Sequence, residues 1–231
     1  MSSLHADVWL KALPVSSLGL RLDDEGVRIC VGWRLGATIC TPFSCSCGAQ
    51  VDARGAHVLS CKHGAGRQIR HSLVNDVIAR SFSRAGIPCS KEPAGLVPGS
   101  ALCPDGATII PWTQGRCLAW DVTCPDTLAA SCVADCAGAA GFAAEQATAR
   151  KVQKYQSLAS SHTFVPLAVE TMGSLSPDCL NLLHSLGSRL ISTQEDRRKR
   201  AYLFQRLSMA IQRGNIVCFS GALLRYLNPD H

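Results

Sequence analysis

The chain has 231 residues, 47% of them hydrophobic and 17% charged, enough apolar content to build a substantial core. Its net charge of +6 permits a polyanionic partner without requiring one. No run approaches the roughly 18 to 20 uninterrupted apolar residues of a membrane helix, and the 13 cysteines are odd in number and follow no leader-like N-terminus, so the expectation is an intracellular protein with mostly reduced, packed thiols.

Residues 1–44 hold two patterned stretches, "DVWLKALP" and "GVRICVGWRLGATIC", divided by "DDEG". The second fits either a strand or a short buried helix. Residues 45–63 are dense in Cys, His and Gly and poor in apolar side chains, so something other than a core must organise them. Over 66–86, Leu73, Val77, Ile78 and Phe82 recur at helical spacing, and Gly86 with Pro88 stops the helix. After a Pro- and Gly-rich stretch carrying Glu92, the runs "ATIIP" and "CLAWDVT" flank "WTQG" and predict an antiparallel hairpin. A helix of about five or six turns is expected over 139–160, a buried strand at "HTFVPLAVETMG", and two further helices, the second ending at Gly214-Asn215. The order predicts an α/β fold.

In the hairpin, pairing symmetrically about "WTQG" sets Asp105 opposite Thr123 and Asp121 opposite Ala107. Both aspartates then share a face as diagonal neighbours, roughly 7 to 8 Å apart at the backbone. Without a cation, one of two such carboxylates would be driven toward its neutral form. A divalent ion such as magnesium relieves that repulsion and can activate water against a phosphodiester. The bland alternative is a turn-capping Asp105 and an Asp121 bonded to a nearby loop. Lys151 and Lys154 on the following helix, with Tyr155 on the face of Lys151, are either candidates to stabilise phosphate charge or a solvated face. Glu92 is either a third carboxylate of the site or a surface residue.

Cys45, Cys47, His57 and Cys61 supply three thiolates and an imidazole within 17 residues, the ligand set of a closed structural zinc site, with His63 competing for the fourth position. Cys132 and Cys136 lack further ligands nearby and read as packed thiols. "EDRRKR", at 195–200, reads as a solvated helix turn.

Pro-Asp, a hairpin, a buried Asp and a Lys-bearing helix resemble the layout of restriction-endonuclease-like nucleases, although Thr123 stands where their signature has lysine. With the CCHC knuckle, "GRQIRH", "KEP", "PDG", "WDVT", "KVQKY" and "FVPLAVETMG" in that order, residues 45 to about 220 resemble the C-terminal region of early-branching, site-specific non-LTR retrotransposon polyproteins. The resemblance implies a restriction-endonuclease-like core (64–231) with a mixed sheet flanked by helices, preceded by a zinc knuckle (45–63) and, in 1–44, the tail of a reverse transcriptase. It further implies an endonuclease that nicks target DNA to prime reverse transcription, with Asp105 and Asp121 holding magnesium or manganese, Lys151 or Lys154 as the relocated lysine with Tyr155 beside it, and structural zinc on Cys45, Cys47, His57 and Cys61. DNA and the element's RNA would be partners, a homodimer would serve to cut both strands, and residence would be nuclear. The alternative is a catalytically inactive nucleic-acid-binding relic in which Arg67, Arg70, His71, Arg80 and Arg84 grip phosphates.

Overall fold

The structure, a computed structural model, describes residues 5–97 and 102–227. It is mixed α/β. Asp23 caps the first helix by accepting the Gly26 N–H, and α1 spans Asp24–Leu35, so the segment with two readings is helical and ends at the left-handed Gly36. A small hairpin, β1 (Phe43–Ser44) and β2 (Gln50–Val51), leads through a 3-10 turn at Ala56–Leu59 to α2 (Gly66–Arg84). Strands β3 (Cys89–Lys91), β4 (Gly106–Thr108), β5 (Leu118–Thr123) and β6 (Thr163–Ala168) form one mixed sheet in that order, antiparallel except for the parallel pair β5 and β6. The crossover between those last two carries α3 (Val133–Gly138) and α4 (Phe142–Lys154), and α5 (Pro177–Gln194) and α6 (Lys199–Leu227) complete the chain.

Period-two alternation in β5 sorts the two faces of the sheet. Leu118, Trp120 and Val122 pack with Leu167 against α2, α5 and α6 in the largest cluster of buried residues, where Trp120 stacks on Phe82 at 4.9 Å between centroids. On the other face Ala107, Ala119 and Ala168 are small, and α4 lies close over them with Ala144 and Ala147, beside Tyr155 and Leu158. Asp121 points to this second face. Gly106 has to be glycine, since a Cβ there would strike the Trp120 indole lying against it.

Two expectations about elements are corrected. Helix α6 does not end at Gly214-Asn215 but runs on for three further turns, because that pair is where α6 crosses α2. A Cβ on Gly214 would meet the Arg70 Cα at 2.7 Å, and one on Gly66 would meet the Cys218 Cα at 2.6 Å, so a glycine from each helix lets the axes approach. Helix α4 is also shorter than expected, giving way at Tyr155 to a 3-10 turn over Gln156–Ser160.

The Cys- and His-rich segment is not without a core. Phe43, Val51, Val58 and Leu59 pack with Ile29 and Trp33 of α1 and with Phe219 and Ala222 of α6. The chain before the knuckle and the far end of the last helix therefore share one apolar cluster with it.

Candidate functional site

The hairpin register differs from the symmetric one. Gly106 pairs with Trp120 and Ala107 with Ala119, two residues away from the expected alignment. The cause is Thr108: its Oγ1 accepts the Leu118 N–H at 3.0 Å and donates to the Ile110 carbonyl at 2.8 Å, so a side chain closes the ladder and Ile109 and Ile110 bulge outward, exposed. A shift of two preserves which face each residue takes. Extending the ladder by one residue sets Asp105 directly opposite Asp121, rather than diagonal to it. On the other side Lys91 pairs with Gly106, and the Glu92 N–H donates to the Asp105 carbonyl at 3.1 Å. Glu92, just past β3, and Asp105, just before β4, thus stand level with Asp121 of β5 along the sheet. Glu92 is exposed and adopts φ +48°, a left-handed conformation uncommon for a residue other than glycine.

Both aspartates have basic side chains as neighbours. The Asp121 carboxylate is buried; one oxygen is ion-paired with the Lys151 Nζ, and the other accepts the Tyr155 hydroxyl at 2.7 Å. Asp105 Oδ2 accepts the Val122 N–H at 2.6 Å and lies 2.8 Å from His71 Nε2. The hydrogen bond to Asp105, opposed by burial, raises the His71 pKa above its ordinary value. The expected repulsion between the carboxylates is met in this structure by a lysine and a histidine. Burial, then the bond to Asp121, pushes the Tyr155 hydroxyl far above its ordinary range, so Tyr155 stays protonated and serves as a donor. Of the two candidate lysines, Lys151 reaches the carboxylate, while Lys154 donates to the Tyr155 hydroxyl at 3.2 Å and lies 4.7 Å from its ring centroid.

Sequence reasoning missed the residues that fix α4. Its N-cap, Gly141, has no side chain with which to cap the helix. The buried Glu170, just past β6, does so instead: Oε1 accepts the Ala144 N–H at 3.1 Å and Oε2 accepts the Thr127 hydroxyl at 3.1 Å. A carboxylate at that end suits the helix dipole. The polar path continues inward. The Thr171 hydroxyl donates to Asp126 Oδ1 at 3.0 Å, the Asn215 amide donates to the Thr171 carbonyl at 2.8 Å, and Arg70 donates to Asn215 Oδ1 and to the Leu59 carbonyl, each at 3.0 Å. Arg70 is 2% exposed and spent on these acceptors, so it does not offer itself to phosphates, and His71 is turned to Asp105. Leu59 stands between His57 and Cys61. A buried polar chain therefore joins the knuckle to the helix that carries Lys151. The one available signal was an acidic residue closing an apolar strand in "LAVET".

In the knuckle, the ligand atoms of Cys45, Cys47, His57 and Cys61 all lie within 4.8 Å of one another and could hold a metal ion. Cys45 Sγ and Cys61 Sγ are 3.5 Å apart, and Cys47 Sγ is 3.2 Å from His57 Nε2. Tetrahedral zinc with Zn–S near 2.3 Å separates two sulfurs by about 3.8 Å, so the quartet is compatible with structural zinc after small adjustment. The hairpin turn supplies Cys45 and Cys47, with Gly48 at φ +87°, and the 3-10 turn supplies His57. The Cys47 thiol is pushed down to about 6, chiefly by its bond to the Ala49 backbone, while burial pushes Cys61 up to about 11. His63 is not among the converging ligands; its carbonyl accepts from Arg225 at 2.9 Å. Among the described residues no helix is long and apolar enough to cross a membrane. Compared with protein-family models and with curated proteins, the chain matches none.

Proposed function

We propose that the chain is a metal-dependent DNA endonuclease with a restriction-endonuclease-like core and a zinc knuckle, derived from a site-specific non-LTR retrotransposon. Its role would be to nick target DNA so that the exposed 3′ hydroxyl primes copying of the element's RNA, in the nucleus. The observation that carries this reading is the placement of Asp105 opposite Asp121, at the end of the β4–β5 ladder, with the Lys151 ammonium delivered to Asp121 from α4.

The donors fit magnesium or manganese, because carboxylate oxygens are the hard ligands these ions take. Asp105 and Asp121 would hold the ion, with the exposed Glu92 level with them. A divalent ion there supplies Lewis acidity toward the phosphate and lowers the pKa of a water. Lys151, released from Asp121 as its charge is taken over, is placed to stabilise the negative charge that develops on the phosphate. Tyr155 holds the Asp121 carboxylate in orientation, and His71 does the same for Asp105. At the knuckle, Cys45, Cys47, His57 and Cys61 would hold structural zinc.

The test is the chemistry of the cut ends. Nicks carrying a 3′ hydroxyl and a 5′ phosphate, extendable by a polymerase and dependent on added magnesium or manganese, are the expected product. A second reading, a nucleic-acid-binding module that does not cut, is favoured by one feature: both aspartates are already satisfied by protein groups. It predicts salt-sensitive DNA binding and no nicks at any metal concentration.

A further inference from the structure

A cavity of about 570 Å³ opens on the side of α2 away from the carboxylates. At 100° per residue, the residues of α2 that line it, Val77, Arg80, Ser81 and Arg84, lie about half a turn round the helix from His71 and Asn75, which serve the aspartates. Its other walls are the N-terminal segment 13–20, the end of α5 and the first two turns of α6. The rim carries Arg80, Arg84, Arg198, Lys199 and Arg206 against one carboxylate, Asp196, an excess of four positive charges on a chain whose whole excess is six. Asp196 is taken up by Arg198, at 3.0 Å, and Lys199. Arg80 reaches Asp76 only at 3.9 Å, and Asp76 is held more closely by Lys91 at 2.6 Å. The Arg84 guanidinium has no ion pair or hydrogen bond among the described residues. Below this rim the floor is aliphatic, with Leu13, Val15 and Leu18 exposed and Leu20, Leu190 and Leu203 behind them.

We propose that this groove binds a single-stranded nucleic acid segment, with its phosphates on the arginines and its bases in the recess. Four of the five rim cations are arginines, whose planar fork matches phosphate oxygens. The recessed apolar floor selects for a single strand: a duplex holds its bases inside and presents phosphates, leaving the floor uncovered, whereas a single strand can turn ring faces into it, beside Tyr202. The run "EDRRKR", which in sequence resembles a solvated turn, supplies Asp196, Arg198 and Lys199 to the groove and meets Arg80 and Arg84 across it. The site shares its class of partner with the nuclease reading but none of its residues.

The test is fluorescence anisotropy with a labelled single-stranded oligonucleotide and with the same sequence as a duplex, using the full chain without added divalent ion, so that the result is independent of cutting. The triple variant Arg84→Ser, Arg198→Ser, Arg206→Ser should lose at least about tenfold in single-strand affinity at low salt. Its slope of log affinity on log salt should flatten by about 2, the value for three lost contacts at about 0.7 each. A charge-matched control, Arg116→Ser, Arg150→Ser, Arg189→Ser, should stay within about twofold, and circular dichroism should show both variants folded. Equal losses in the two variants, or a duplex affinity that falls as far in the triple variant as the single-strand affinity does, would overturn the proposal. Displacement of the strand by polyglutamate of equal charge would overturn it in favour of an acidic protein partner.

Discussion

At the scale of single residues, the site is a pair of aspartates held by basic and hydroxyl neighbours, and each neighbour contributes in a way that can be measured. Tyr155 is 1% exposed and donates its one hydroxyl proton to Asp121 at 2.7 Å, with the Cys103 carbonyl 3.0 Å from the same oxygen. Replacing Tyr155 with Phe should therefore cost about 1.5 to 3 kcal/mol in urea denaturation, since a buried carboxylate loses its donor while the ring packing stays. The His71 pKa is raised in the fold, so the pair with Asp105 stabilises fully below the unfolded value near 6.5 and its contribution is lost as pH rises through the folded value. His71→Gln, measured without divalent ion, should accordingly be less stable than wild type at about pH 5.5, with the difference narrowing as pH rises above the unfolded value. A difference that grows toward alkaline pH would contradict the assignment.

At the scale of elements, α4 is a lever whose one end is fixed by Glu170 and whose other end presents Lys151. Glu170→Ala leaves the Ala144 N–H and the Thr127 hydroxyl without their partner, a cost of about 1 to 3 kcal/mol. The same variant should speed amide exchange in the first turn of α4 more than in α5. Gly214→Ala forces a methyl group against the Arg70 backbone, with a destabilisation of about 1 to 3 kcal/mol visible as a lowered Tm.

Local pattern revealed α2, the hairpin, β6 and α5, because each carries its own periodicity and stop signals. It could not reveal the true length of α6, since Gly214-Asn215 has the composition of a helix end and only the crossing with α2 explains why the helix continues through it. The hairpin register escaped for a related reason: a threonine side chain, not a backbone group, closes the ladder. Asp105, Asp121, Lys151 and Tyr155 were legible as an ordered set, whereas Glu170 and the capture of Arg70 depend on contacts between residues far apart in sequence.

At the scale of the whole molecule, the knuckle, α1 and the end of α6 share one apolar cluster, and the buried polar chain from Leu59 to Ala144 links it to α4. Loss of the knuckle metal should therefore be felt beyond the knuckle. The expected zinc content is one ion per chain, abolished by Cys47→Ser, and zinc at about a thousandfold over its Kd should contribute about 4 kcal/mol of stability. Trp33, packed edge-on to Phe219 at 6.0 Å between centroids, gives a fluorescence signal for this change.

The most direct measurement is nicking of supercoiled plasmid by the full chain in magnesium or manganese, beside Asp105→Ala, Asp121→Ala and Lys151→Ala. Nicking by the wild type that is lost in both aspartate variants and reduced at least about a hundredfold in the lysine variant, as for removal of one strong electrostatic donor, is the expected result. Wild-type protein that binds DNA and never nicks it, or nicking that survives loss of either aspartate, would contradict the assignment of this pair of aspartates as a nuclease site.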